Sequence, residues 1–167
     1  MTPAYALVHI LPAAFALLPA KMDTPQARAM LLAVGLQESG FRHRRQIEGP
    51  ARGFWQFEQR GGVAGVLTHA HTAEIARDVC GLLGYQTSGA VSARGAVVYA
   101  ALADNDILAC AFARLLLWTL PEALPGRDAP DTGWAQYLKA WRPGKPRKDS
   151  WNGYWETAWL MVDPAGA

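Results

Sequence analysis

One acidic residue stands where its surroundings would make it chemically useful. Ala27, Leu31, Val34 and Glu38 follow one another at intervals of four, three and four, which on a helix of 3.6 residues per turn sets them along one stripe. Glu38 therefore ends an apolar stripe. A carboxyl held against apolar packing is disfavoured in its charged form, so its pKa rises. An acid still protonated near neutrality can donate a proton to a leaving oxygen, as cleavage of a glycosidic bond requires. Spacing alone also fits the commoner fate of such a residue, a glutamate facing solvent at the end of a helix.

Residues 42–62 read as a polar loop punctuated by Gly49-Pro50, Gly53 and Gly61-Gly62. Glycines at 49 and 53 allow sharp turns and close approach of backbone to a ligand. Phe54 and Phe57 read as a buried turn under the helix, and Trp55 as either core or cleft wall.

Glu38-Ser39-Gly40-Phe41, followed by Gly49-Pro50-Ala51-Arg52-Gly53-Phe54-Trp55-Gln56-Phe57, resembles the two leading motifs of lytic transglycosylases and goose-type lysozymes. In that superfamily an E-S-x-F ends the catalytic helix and a G-x-A-x-G-L-M-Q segment follows at a similar interval. Gly49, Ala51, Gly53 and Gln56 match directly, whereas Phe54 and Trp55 stand for the usual Leu and Met. The resemblance covers roughly residues 20–60. It implies a mainly α, lysozyme-like single domain with a small loop or hairpin flanking the cleft, no cofactor and no metal. Glu38 would be the catalytic acid/base, Ser39 a neighbour holding the sugar or the carboxylate, and Gln56 a substrate contact, with Trp55 as a wall of the cleft.

The family's third motif, A-Y-N-A-G, is where this chain departs. Its counterpart is Ala140-Trp141-Arg142-Pro143-Gly144, which lacks the tyrosine hydroxyl and the asparagine amide, and a late family tyrosine corresponds to Tyr154. Aromatic faces suit pyranose rings, so Tyr137, Trp141 and Tyr154 are expected among the substrate contacts. The bland reading of the same segment is a tryptophan-rich tail that closes the core.

The resemblance implies cleavage of the MurNAc-GlcNAc β-1,4 bond of peptidoglycan. A transglycosylase needs one carboxylate, which protonates the leaving oxygen and then takes a proton from the substrate's own 6-hydroxyl, leaving a 1,6-anhydro ring. A hydrolysing muramidase places a second carboxylate about 5 to 9.5 Å from the first. Glu48, Glu58, Asp104 and Asp106 are the candidates, none with a motif behind it. The single compelling acid favours the transglycosylase, with the hydrolase as the alternative.

The elements that must position these residues are helical. At 167 residues with 51% hydrophobic content, the chain supports one domain with a substantial core, spanning 1–167. Thr24 caps and Pro25 opens a helix that runs to Ser39 and stops at Gly40. Other helices are expected at about Ala4 to Leu18, Gly62 to His69, Thr72 to Leu83, Gly89 to Ala103 and Asp106 to Leu120. A short strand or hairpin near Phe54 to Phe57 is the only convincing β structure. Beyond the connection from Pro121 to Asp131, five of the seven tryptophans fall in the last 34 residues, marking a segment of distinct composition.

A formal charge of +2 and a pI near 8.7 help approach to an anionic surface but fall short of a dedicated nucleic-acid binder. The clusters Arg42, His43, Arg44, Arg45 and Lys139, Arg142, Lys145, Arg147, Lys148 suit phosphate as well as anionic peptidoglycan. They leave a non-catalytic phage structural or nucleic-acid-binding protein as a second alternative, although no nucleic acid is the expected partner. His43, His69 and His71 lack a fourth zinc ligand at a sensible spacing. Cys80 and Cys110 read as small buried hydrophobes. The apolar run Ala4 to Ala20 lacks a basic n-region, since Lys21 follows it, and reads as a core helix. Size, wording and the lack of a cleaved signal resemble a phage lysis protein. The expectation is a monomer held in the host cytoplasm, acting on the wall after holin-dependent release or in association with the virion.

Overall fold

The computed structural model describes residues 1–86 and 88–166; residues 87 and 167 of the expected domain lie outside that set. The chain is mainly helical, as its composition implies. Helix α1 comprises Pro3–Tyr5, a π-type stretch Ala6–Ile10 and Leu11–Phe15. The widened turn, in which the Leu11 N–H reaches the Ala6 carbonyl, lies just before Pro12, a residue that cannot donate to the ladder. The helix buries Ala6, Ile10, Leu11, Ala14 and Phe15 and leaves Tyr5 and Val8 exposed. Among the described residues no helix is long and apolar enough to cross a membrane.

Helix α2, Pro25–Ser39, has the limits its caps dictate. The Thr24 side chain accepts from the Ala27 N–H, Pro25 occupies the first turn, and Gly40 closes the helix in the left-handed conformation at φ 58°. The remaining helices are α3 (Ala64–Thr68), α4 (Ala73–Leu82), α5 (Val91–Ala101), α6 (Asp106–Trp118), α7 (Pro130–Trp141) and α8 (Trp151–Val162). A π-type turn, Gln59–Val63, leads into α3. Every residue of α6 from Leu108 to Leu117 is buried, so α6 is the central helix and its neighbours wrap it. The core is one continuous cluster of side chains.

The tryptophan-rich tail, read from sequence as a composition change, forms helices α7 and α8. The most extensive helix pairing in the molecule is that of α2 with α8. Trp151, Trp155 and Trp159 of α8 are buried together with Trp134 and Tyr137 of α7. A Cβ on Gly133 would lie 2.6 Å from the Trp155 ring, so glycine at this point of α7 lets the two helices close. Cys80 and Cys110 are buried free thiols, and burial pushes Cys80 up to about 11.

The expected hairpin is reduced to isolated bridges, Arg45 with Arg52 and Arg52 with Phe57. Its backbone bonds, Gln46 N to Ala51 O and Phe57 N to Arg52 O among them, make a tight double turn with no regular strand. Gly53 sits inside it at φ 73°, where a Cβ would stand 2.8 Å from the Leu102 carbonyl oxygen. That glycine is buried, so the close approach it permits is to the end of α5 at Leu102 and to Ala109 of α6 and not to a ligand, a correction to the sequence expectation.

Candidate active site

Glu38 lies one residue from the end of α2, beyond Ala27, Leu31 and Val34, all three fully buried. The stripe inferred from spacing therefore exists. Its carboxyl is half-buried and lines a cleft of about 1220 Å3 bounded by the 46–65 segment, the C-terminal end of α6, and the stretch from Tyr137 to Arg147. Oε1 accepts a 2.6 Å hydrogen bond from the Tyr137 hydroxyl. Loss of solvent is the dominant influence and raises the Glu38 pKa from 4.5 to about 7. The bond from Tyr137 and the charge of Arg147 pull in the opposite direction, and Glu58 pushes the same way as burial. The same desolvation, with the neighbouring carboxylate, keeps the Tyr137 phenol protonated far above its ordinary range. When Glu38 is ionised, the phenol is therefore the donor and the carboxylate the acceptor.

Tyr137 is held by its neighbours. It stacks on Trp151 at 5.4 Å and on Trp141 at 6.1 Å between ring centroids. The Trp141 indole N–H is committed to the Trp55 carbonyl at 2.8 Å, which leaves part of its ring on the cleft. Tyr137 and Trp141 both reach the cleft beside Glu38, one turn apart on α7, but only Trp141 has ring surface to give a substrate. Tyr137 is 2% exposed, its faces covered by Trp141 and Trp151, a correction to its expected role as a sugar contact. Arg142 ends that helix at φ 50°, and Ala140 through Lys145 continue the cleft wall. Ala140 to Gly144 thus line the cleft, and the hydroxyl that reaches Glu38 comes from Tyr137, four residues before Trp141.

Gln56 also lines the cleft. It adopts φ 50°, a conformation uncommon for a residue with a side chain. Its Nε2 donates to the carbonyls of Gly53 at 2.7 Å and His43 at 3.2 Å. With the amide hydrogens so engaged, Oε1 remains as an acceptor for a ligand hydroxyl or N–H.

Three other expected contacts are corrected. Trp55 is fully buried and its indole N–H is spent on the Leu31 carbonyl at 2.8 Å, so it is core and not a wall. The Ser39 hydroxyl donates to the Phe54 carbonyl at 2.7 Å and accepts from the Phe41 N–H at 3.1 Å. It latches the loop onto the helix and does not line the cleft. Tyr154 is half-buried on α8, outside the cleft, because the buried face of that helix belongs to its tryptophans.

Of the four candidate second carboxylates, only Glu58 lines the cleft. Asp106 and Asp104 are paired with Arg44 at 2.6 Å and Arg45 at 3.0 Å, and Glu48 is exposed on the loop. Gln37, beside Glu38 and itself buried, donates to the Arg147 carbonyl at 2.9 Å and accepts from Ser150 at 3.1 Å. It thereby fastens the 147–150 segment to α2 and sets Arg147 near the acid. Sequence reasoning missed Gln37 as an anchor, Arg147 as a charge acting on Glu38, and Tyr137 as the direct partner of Glu38. The one available signal was the four-residue spacing of Tyr137 and Trp141.

Among the described residues no group of three or more His, Cys, Asp or Glu side chains is arranged to hold a metal ion. No protein-family model, curated protein or solved structure matches this chain.

Proposed function

We propose that the chain cleaves the β-1,4 glycosidic bond between MurNAc and GlcNAc in peptidoglycan, with Glu38 as general acid and then general base. The observation that carries this reading is a carboxyl with a pKa of about 7, opening onto a cleft larger than the roughly 300–1,000 Å3 usual for small-molecule pockets. In the first step Glu38 gives its proton to the leaving oxygen as the bond to the anomeric carbon breaks. In the second the carboxylate accepts the proton of the substrate's 6-hydroxyl while that oxygen bonds to the anomeric carbon, closing a 1,6-anhydro ring. Near neutrality such an acid is populated in both forms, as a group that must give and then take a proton requires.

Several features support this substrate. Trp141 offers aromatic surface and Gln56 a free acceptor. Arg60, Arg142, Lys145 and Arg147 line the cleft without an ion-pair partner among the described residues, which suits the carboxylates of a peptide-substituted glycan. Both basic clusters are partly neutralised, the first through Arg44 and Arg45 and the second through Lys139 and Lys148, so Arg142, Lys145 and Arg147 are the part of the second that faces the cleft unpaired among the described residues.

A second reading rests on Glu58. Its presence on the same cleft, within electrostatic reach of Glu38, gives a hydrolase a candidate base for water. Mass spectrometry of the soluble products from purified peptidoglycan separates the two. Anhydro ends are expected; reducing ends mean hydrolysis through the second carboxylate. Absence of any soluble product across the pH range contradicts both and returns the protein to a non-catalytic role.

A further inference from the structure

A second cavity, of about 550 Å3, lies on the other side of the α6 C-terminal end, between that helix, the N-terminus of α2 and the 120–124 segment. Its notable occupant is Arg114. This side chain is only 3% exposed, yet among the described residues no carboxylate is bonded to it. Nε donates to the Met22 carbonyl at 2.9 Å, and the guanidinium lies 4.8 Å from the centroid of the Trp118 ring. Among the described residues the two terminal nitrogens make no hydrogen bond, and neither is sealed from solvent, so they open onto the cavity that Arg114 lines.

A buried cation without a counter-ion is costly, and an aromatic face offsets only part of that cost. The nearest acid by charge, Asp23, is engaged by Arg28 through two 2.7 Å bonds. The one carboxylate on the cavity, Glu122, is paired with Lys139 at 2.6 Å. Meanwhile a second cation approaches the same indole: Lys21 Nζ stands 5.5 Å from the Trp118 centroid. The α2 N-terminus adds to this. Ala27 N–H is capped by Thr24 and Arg28 N–H bonds to the Thr24 carbonyl. Pro25 has no N–H, so the Gln26 amide is the one donor of the first turn left without a partner among the described residues, and Gln26 lines the cavity. A free amide at the positive end of a 15-residue helix favours an anion.

We propose that this cavity is a binding site for a small oxyanion group, a phosphate or a carboxylate, held between Arg114, Lys21 and the Gln26 amide. The guanidinium presents two parallel donors to two oxygens of the ligand, the geometry in which arginine binds such groups best. Leu120, Leu124 and Trp118 provide apolar surface beside the charge, so the anion is expected as one end of a larger molecule. The site is separate from Glu38 and does not depend on the activity proposed for it.

The test is NMR titration of the full chain with inorganic phosphate and, separately, acetate. The Arg114 Nε–H and Trp118 indole N–H signals are followed, with chloride at equal ionic strength as control. Saturable shifts of both signals with either oxyanion are expected, and whichever saturates first identifies the source. Lys21→Met, at an exposed position, should weaken that binding about tenfold while leaving cleavage of peptidoglycan unchanged. Arg114→Lys should weaken it further through loss of the paired donors. Shifts no larger than those with chloride, or equal affinity in Lys21→Met, would overturn the proposal.

Discussion

The Tyr137 hydroxyl meets Glu38 Oε1 at 2.6 Å across 99 positions of sequence. It is the only hydrogen bond made by that carboxylate among the described residues, and it joins the end of α2 to the middle of α7. Because the phenol donates, the bond favours the charged carboxylate, yet desolvation outweighs it and the acid stays protonated to about pH 7. The consequences can be measured separately.

Tyr137→Phe removes the bond that favours the anion. The pKa of Glu38 should rise, so the alkaline limb of the pH-rate profile should move upward by up to about one pH unit. The maximal rate should fall as well, because the carboxyl loses the group that orients it. A profile unmoved by this change would show that the bond does not govern the acid.

Arg147→Ala and Glu58→Gln should displace that limb in opposite directions. Arg147 favours the carboxylate and Glu58 disfavours it, so the first substitution moves the limb up and the second moves it down. Both effects should shrink at high salt, since both side chains are exposed. If transglycosylation is the reaction, Glu58→Gln keeps most of the activity and the same anhydro product. Loss of a hundredfold or more, the order expected of a general base, would assign Glu58 to water activation.

Glu38→Gln should stabilise the protein in alkaline solution. The folded-state pKa of about 7 lies above the ordinary 4.5, so the folded state binds more protons between these values and stability declines as pH rises through them. A glutamine has no charge to bury and keeps an oxygen for the Tyr137 hydroxyl. The variant should match wild type near pH 4 and exceed it at pH 8 by up to about 3 kcal/mol, read by thermal or denaturant unfolding. Equal stabilities at pH 8 would mean that the carboxylate is not desolvated.

Trp55→Phe should cost about 1 to 3 kcal/mol of stability, for the lost bond to the Leu31 carbonyl and the space left behind. Cleavage by the folded fraction should continue, because the indole is core. A normal stability with lost activity would return Trp55 to the cleft.

Where local signals suffice, the sequence is read correctly. Thr24, Pro25 and Gly40 set both ends of α2, since capping depends on neighbours in the chain. The stripe from Ala27 to Glu38 is a matter of helical period alone. Helices α7 and α8 were not legible because Gly133, Gly153 and the aromatic residues are indifferent or poor helix formers, and burial against α2 overrides that preference. Within the site, Gln56 and Trp141 reach the cleft as expected. Ser39 and Trp55 do not, because their polar atoms are claimed by backbone carbonyls of segments whose positions only the tertiary fold determines. The bond from Tyr137 to Glu38 is of the same kind: nothing in either residue's neighbourhood announces the other.

The most direct test of Glu38 as the acid compares wild type with Glu38→Gln in clearing a suspension of purified peptidoglycan at pH 6, with circular dichroism to establish that both are folded. Wild type should clear the suspension, and the variant should be slower by a hundredfold or more. A folded variant that clears it at more than a few per cent of the wild-type rate, on the order of what loss of a minor contact would leave, contradicts the assignment.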